Sequence, residues 1–190
     1  MLKDLVLKNR SFRRFKQDYM VPEGVLRELV DLARLTASGA NRQPLRYVLS
    51  CSPAINERIF PCLAWAGYLT AWRGPEPGER PSAYIVMVAD PSVVSGGFVD
   101  PGIAAQTILL GAAERGLGGC MIGSIKREEL AQVLDLPVVL NVILVIALGK
   151  PAETVVLEPV NNGDIRYWRD ANGVHHVPKH SLDDVLIKTL

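Results

Sequence analysis

Neither sign of charge dominates this chain. Its 190 residues carry 21 Lys and Arg against 20 Asp and Glu, a formal net charge of +1. That balance excludes a general affinity for nucleic acid or acidic membranes, which need a surplus of one sign. Cysteine is scarce. Cys51, Cys62 and Cys120 are odd in number and show no C-x-x-C spacing, so neither a disulfide framework nor a zinc site is supported. Free, partly buried thiols in a reducing cytoplasm are expected. No stretch approaches the roughly 18 uninterrupted apolar residues of a membrane span. Met1 to Arg10 alternates charge with leucine and lacks the apolar centre of a signal peptide, which predicts a soluble, cytoplasmic protein. There is no internal repeat and no low-complexity tract.

Familiar catalytic signatures are missing too. Gly116-Leu117-Gly118-Gly119 begins like a dinucleotide fingerprint, but the third glycine is absent and the segment follows a helix where a strand should precede it. No G-x-x-x-x-G-K-[ST] loop occurs, and no Ser/His/Asp arrangement stands out. His175 and His176 are adjacent on an expected strand, so they face opposite sides and cannot share a metal. Solvent-exposed hairpin histidines are expected. With no side-chain nucleophile or metal in view, an enzyme built this way must take its reactive atom from a cofactor.

What is present is apolar material, 48% of the chain, enough for one sizeable core. Leu2, Leu5 and Val6 form a short helical stripe ending near Asn9. Pro22 fits the first turn of a better helix, whose Leu26, Leu29, Val30 and Ala33 follow helical spacing, with a stop expected near Ser38-Gly39. Tyr47–Leu49 reads as a strand, and Ser52-Pro53 as an N-cap followed by proline. Trp72–Pro81, with three prolines and two glycines, reads as an exposed loop. Tyr84–Ala89 and Val142–Leu148 are short and continuously apolar, as strands buried on both faces are. Gly102–Arg115 is apolar around most of its circumference and must lie inside the domain or in a subunit interface. Lys126–Leu134 is a further helix. Ala171-Asn172-Gly173 between strand-like runs signals a hairpin, and Ser181 caps a final short helix carrying Leu182, Val185 and Leu186. One α/β or α+β domain is expected.

Two polar segments carry the chemistry. Arg10-Ser11-Phe12-Arg13-Arg14-Phe15 concentrates guanidinium forks and a hydroxyl, either a solvated helix end or a grip for phosphate. Ser38-Gly39-Ala40-Asn41-Arg42-Gln43-Pro44 offers two amides, either ordinary turn polarity or partners for the pyrimidine edge of a flavin. Together they suit a phosphorylated heterocyclic cofactor. Trp65, Tyr68 and Trp72 precede the Pro/Gly loop. Trp65 reads as core, whereas Tyr68 and Trp72 are candidates for a substrate pocket.

In this order, R-S-F-R-R-F at 10–15, S-G-A-N-R-Q-P at 38–44, the alanine-rich helix leading into G-L-G-G-C-M-I-G at 116–123, and A-L-G-K-P at 147–151 make the chain resemble the FMN-dependent nitroreductase family over most of its length. The resemblance implies a three-layer α/β/α sandwich with a mixed sheet. It further implies a single FMN-binding domain over 1–190, assembled as an intertwined homodimer with two FMN sites in its interface. A C-terminal hairpin and tail, about 160–190, would pair with the partner subunit.

By the same resemblance, Arg10 and Ser11 contact the FMN phosphate, and Arg13 reaches the N1/O2 edge of the ring, where it stabilises reduced flavin. Ser38 and Gly39 approach the cofactor held by the partner, and Asn41 and Gln43 bind its polar atoms. Met121, Ile122 and Gly123 lie over one ring face, and Lys150 and Lys179 add phosphate contacts. Asn9 and His180 stand where related chains often carry arginine. The implied activity is ping-pong transfer of hydride from NADH or NADPH, through flavin N5, to a nitroaromatic, quinone or similar acceptor. A dehalogenase, a ring dehydrogenase and a non-catalytic flavin sensor or carrier are the alternatives.

Overall fold

The computed structural model describes residues 1–90, 92 and 99–190. Helix α1 (Leu2–Lys8) leads through an extended stretch to the short strand β1 (Phe15–Lys16). Helix α2 (Glu23–Arg34) buries Leu26, Leu29 and Ala33 along one stripe. Pro22 is its N-cap rather than a first-turn residue, and the helix stops short of Ser38-Gly39. The physical reason for the early stop is local. The Thr36 hydroxyl donates to Ala33 O at 2.7 Å, satisfying a carbonyl that a further turn would have used.

Strand β2 (Leu45–Ser50) is followed by α3 (Pro53–Ile59), with Ser52 at the N-cap and proline in the first turn, as expected. Trp72–Pro81 forms no helix or strand, but Gly74, Pro75 and Pro81 are buried, so the expectation of a wholly exposed loop is corrected. The loop is held down because Gly74, at φ +125°, lies so close to the buried Trp65 that a Cβ there would come within 2.7 Å of the indole. Next come β3 (Ala83–Ala89), α4 (Val99–Glu114), β4 (Gly118–Ile122), α5 (Arg127–Val133) and β5 (Asn141–Pro151). The chain ends with β6 (Val155–Pro159), β7 (Trp168–Arg169), β8 (His175–Lys179) and the single turn α6 (Leu182–Val185).

The main sheet places β5 in the middle. β3 flanks it on one side and is itself flanked by β2, while β4 and β1 pair end to end along its other side. All these pairings are antiparallel. The parallel component of the architecture comes from Ser11 beside Gly119 and from β6 beside β8.

Strand alternation divides the core. Ala83, Ile85 and Met87 point to the side covered by α2 and α4, where Leu26, Leu29, Ala105, Ile108 and Ala112 meet them. Tyr84, Val86 and Val88 point the other way, toward Ile59, Trp65 and Leu130 near α3 and α5. Helices therefore cover both faces, which is why β3 is buried at every position and reads as a continuous apolar run. The α4 helix meets its need for burial against α2, β4 and α1.

The C-terminal segment forms a second sheet in the order β6-β8-β7. Its hairpin turns at Asp170–Val174, where Gly173 has φ +80°. This hairpin is paired and anchored within its own chain. The tail beyond it is apolar and exposed at Leu182, Val185, Leu186, Ile187 and Leu190.

Candidate functional site

The first polar segment is positioned by main-chain bonds. Phe12 N–H donates to Gly119 O at 3.0 Å, laying Arg10–Phe12 along the free edge of β4. The approach is close. A Cβ on Gly119 would stand 2.5 Å from Ala147 O, and one on Gly118 would strike the Phe12 ring. Gly118 therefore lets the basic segment lie against β4, and Gly119 lets β4 lie close on β5.

Arg10 donates through Nη2 to Val6 O, the exposed C-terminal turn of α1, while its Nε is buried without a partner among the described residues. Burial pulls its pKa below the ordinary arginine value, marking a cation held partly away from water. Ser11 is exposed beside it. Lys150 reaches across the same end of the sheet, its Nζ 3.1 Å from Gly116 O.

The three neighbouring arginines Arg13, Arg14 and Arg169 have different fates. Arg14 forms a two-pronged pair with Glu79, through Nε at 2.7 Å and through Nη2, which raises the arginine pKa and lowers that of Glu79. Arg169 pairs at 2.9 Å with Glu153, whose side chain is almost fully buried and also accepts from the backbone N–H groups of Arg13 and Arg14. Arg13 makes no ion pair among the described residues. Its Nη1 donates to Ser11 O and to His175 Nε2, each at 3.2 Å, and its guanidinium lies 4.9 Å from the centroid of the Tyr167 ring.

His175 corrects an expectation: it is fully buried, not exposed. The strand alternation that separates the two histidines holds, but the hairpin folds onto the N-terminal segment and takes one face with it. Desolvation first, then the charges of Arg13 and Arg169, pushes its pKa down to about 4. His176, on the other face, bonds Glu158 at 2.8 Å, and its pKa is raised chiefly by that contact.

The β4 edge presents Met121, about a third exposed, and Gly123, which has open space where a Cβ would stand. Ile122 turns its side chain into the core, leaving only its backbone. Tyr68 is half exposed, its ring 4.9 Å from Tyr167, and Tyr68 N–H donates to Tyr167 Oη at 3.3 Å. Trp72 is half-buried beneath the Arg169 guanidinium at 4.6 Å. Lys179 is exposed four positions along β8 from His175, roughly 13 Å by strand rise, so the strand carries it away from Arg13.

The second polar segment sits elsewhere. Ser38 Oγ donates to Asp100 and accepts from Gln43 N–H, while Gly39 N–H donates to the same carboxylate at 3.0 Å. These bonds hold Asp100, in the first turn of α4, below the usual carboxylate pKa. Ala40, Asn41 and Gln43 all have positive φ, at 50°, 54° and 49°. Three non-glycine residues in the left-handed region are costly and persist only where their surroundings fix them, a pattern that marks functional segments. Both amide side chains are exposed, joined by a 3.1 Å bond from Gln43 Nε2 to Asn41 Oδ1.

The two segments do not meet within this chain. Leu45, just after Gln43, is in register with Ala89 and through it with Asn141 of β5, whereas Gly119 is in register with Leu148. Seven residues of strand, about 23 Å, separate those levels.

The fold and this edge-strand site define a class. Residues 6–68 and 79–150 match the model of the nitroreductase family, and the chain belongs to that family. The solved nitroreductase family protein of Streptococcus pneumoniae TIGR4 superposes with a TM-score of 0.71 over 100% of both chains at 16% identity. The family member of Clostridium novyi NT gives 0.66, covering 80% of this chain and 86% of its own, at 24% identity. An FMN-dependent nitroreductase of Clostridium difficile R20291 gives 0.65, covering 83% and 91%, at 23% identity. A curated relative, an NADH dehydrogenase of Thermus thermophilus, is 46% identical over 57 residues. That match spans 30% of this chain and 27% of the relative.

Tyr167, Arg169, Glu153 and His175 escape sequence reasoning. The aromatic and basic run Tyr167-Trp168-Arg169 beside the Asn-Gly turn was the available signal, but nothing local shows which face of a hairpin will dock.

Proposed function

We propose that this chain is an FMN-dependent oxidoreductase that works as a homodimer, taking hydride from NADH or NADPH and delivering it to an electron-poor acceptor such as a nitroaromatic or quinone. The observation that carries this reading is the Phe12–Gly119 bond, which brings the Arg10-Ser11-x-Arg13 cluster to the edge of β4 beside Met121 and Gly123. Family membership and similarity to an NADH dehydrogenase and to an FMN-dependent nitroreductase support it.

The donor set fits FMN. Arg10 keeps a buried Nε without a partner, Ser11 offers an exposed hydroxyl, and Lys150 lies at the same end of the sheet, a combination suited to a phosphate. Gly123 leaves open space for a flat ring, and Met121 supplies an apolar contact. Bound FMN supplies the two-electron chemistry. Arg13 meets the negative charge that reduction brings, since its guanidinium makes no ion pair among the described residues, the nearby Glu153 carboxylate being taken up by Arg169 and by backbone N–H groups. The exposed amides of Asn41 and Gln43, about 23 Å away along the sheet, serve the cofactor of the partner subunit, with Ser38 and Gly39 fixing their loop. Lys179 has the weakest support of the cationic candidates.

Tyr68 and Trp72 line the approach on the side of the C-terminal hairpin. Tyr68, being freer, has the larger effect on the acceptor: Tyr68→Ala raises acceptor KM several-fold, and Trp72→Ala less. Unchanged KM values for every acceptor tried would remove both from the pocket.

Purified protein should be yellow, release FMN on heat denaturation, and lose its visible flavin absorbance when NADH or NADPH is added without oxygen. A colourless chain that takes up no added FMN overturns the proposal. Bound FMN that neither nucleotide can reduce replaces the enzyme with a flavin carrier.

A further inference from the structure

Of Arg13, Arg14 and Arg169, two are neutralised and one is not. Arg14 has Glu79 and Arg169 has Glu153, whereas Arg13 is held by a histidine and an aromatic face. A guanidinium only donates, so His175 Nε2 must accept from Arg13, and the imidazole proton resides on Nδ1. That Nδ1 is buried with no partner among the described residues. An unsatisfied buried donor is a standing cost, and an apolar side chain of similar shape would avoid it. The histidine therefore provides something the packing alone does not need.

What it provides is an acceptor without charge. A carboxylate at this position would hold Arg13 more strongly but would cancel its field. Depression of the His175 pKa to about 4 keeps the ring neutral through the physiological range. Tyr167 completes the clamp, stacking on Arg13 at 4.9 Å while its own ring meets His175 at 5.2 Å and its hydroxyl accepts from Tyr68 N–H. Both clamp residues come from the C-terminal segment, far in sequence from the Arg13 motif.

We propose that His175, with Tyr167, is a positioning residue that fixes Arg13 while leaving its charge available to the reduced cofactor. This rests on the FMN-binding reading above. The consequence is selective: the clamp favours reduced over oxidised FMN, rather than binding the cofactor as such.

The test measures dissociation constants for both redox forms, by fluorescence titration of oxidised FMN and anaerobic potentiometry. His175→Gln retains a neutral acceptor and keeps the ratio of the two constants within about threefold of wild type. His175→Phe keeps the shape but loses the acceptor, and His175→Glu adds the cancelling charge. Each shifts the ratio toward the oxidised form by tenfold or more, about 30 mV for a two-electron couple. Oxidised-FMN affinity changes less than that. Tyr167→Leu moves the ratio in the same direction and serves where a His175 variant fails to fold. Ratios unchanged in His175→Phe, His175→Glu and Tyr167→Leu, while Arg13→Ala lowers the ratio, overturn the clamp alone. An unchanged ratio in Arg13→Ala overturns it as well. Wild-type protein that binds no FMN overturns the cofactor reading and the clamp together.

Discussion

Arg10 gives up part of its solvent and, unlike Arg14 and Arg169, has no carboxylate partner among the described residues. Arg10→Ala should weaken FMN binding about tenfold or more, since a charge-assisted bond contributes about 1.5–3 kcal/mol and each 1.4 kcal/mol is a factor of ten. Fluorescence quenching on titration with FMN measures it, and the melting temperature of the apoprotein should change little. His175 makes the opposite kind of prediction, one about stability. Its folded pKa, about 4, lies below the ordinary histidine value of 6.5. Between those values the unfolded chain binds a proton that the folded chain refuses, so stability rises with pH through that window and falls as pH drops from 6.5 toward 4. Urea midpoints collected across this range should fall toward acid less steeply for His175→Phe than for wild type.

At the scale of elements, β4 is where sequence and packing constrain each other most tightly. Its opening glycines read as an incomplete nucleotide fingerprint, but their role is close approach: β5 backbone and Leu109 of α4 leave no room for a Cβ at Gly119. Gly119→Ala should cost about 1–3 kcal/mol, the range for overpacking a tight interior. Chemical denaturation measures that loss, and it should be accompanied by weaker FMN binding, because the same strand edge carries Arg10–Phe12. Two neighbouring elements contrast in legibility. The hairpin at Asn172-Gly173 was readable because the turn needs the positive φ that glycine adopts freely, whereas the end of α2 was not, because Thr36 decides it through one hydroxyl bond.

For the molecule as a whole, the decisive fact is separation. Arg10-Ser11-x-Arg13 and Ser38–Gln43 lie at different ends of the sheet, so a single chain does not close a site that uses both. The proposed homodimer supplies the missing half, and the exposed apolar tail after His180 is the segment best suited to hold the partner. Truncation after His180 should shift sedimentation from dimer toward monomer and release FMN over the same range of dilution. A truncated chain that stays dimeric and keeps its FMN would assign the tail another role.

The amino-acid sequence by itself determined the layers and the chemistry on offer. Continuous apolar runs and the period-3.6 stripe of α2 are local, so β3, β5, α4 and α2 could be read from them, as could the two polar segments. Only the tertiary structure decided how that chemistry is disposed. Which arginine is left without a carboxylate, which histidine is buried, and which side of the C-terminal hairpin faces Arg13 all depend on contacts between residues more than a hundred positions apart. Such pairings are set by how sheets and hairpins dock, and no local pattern in the chain records them.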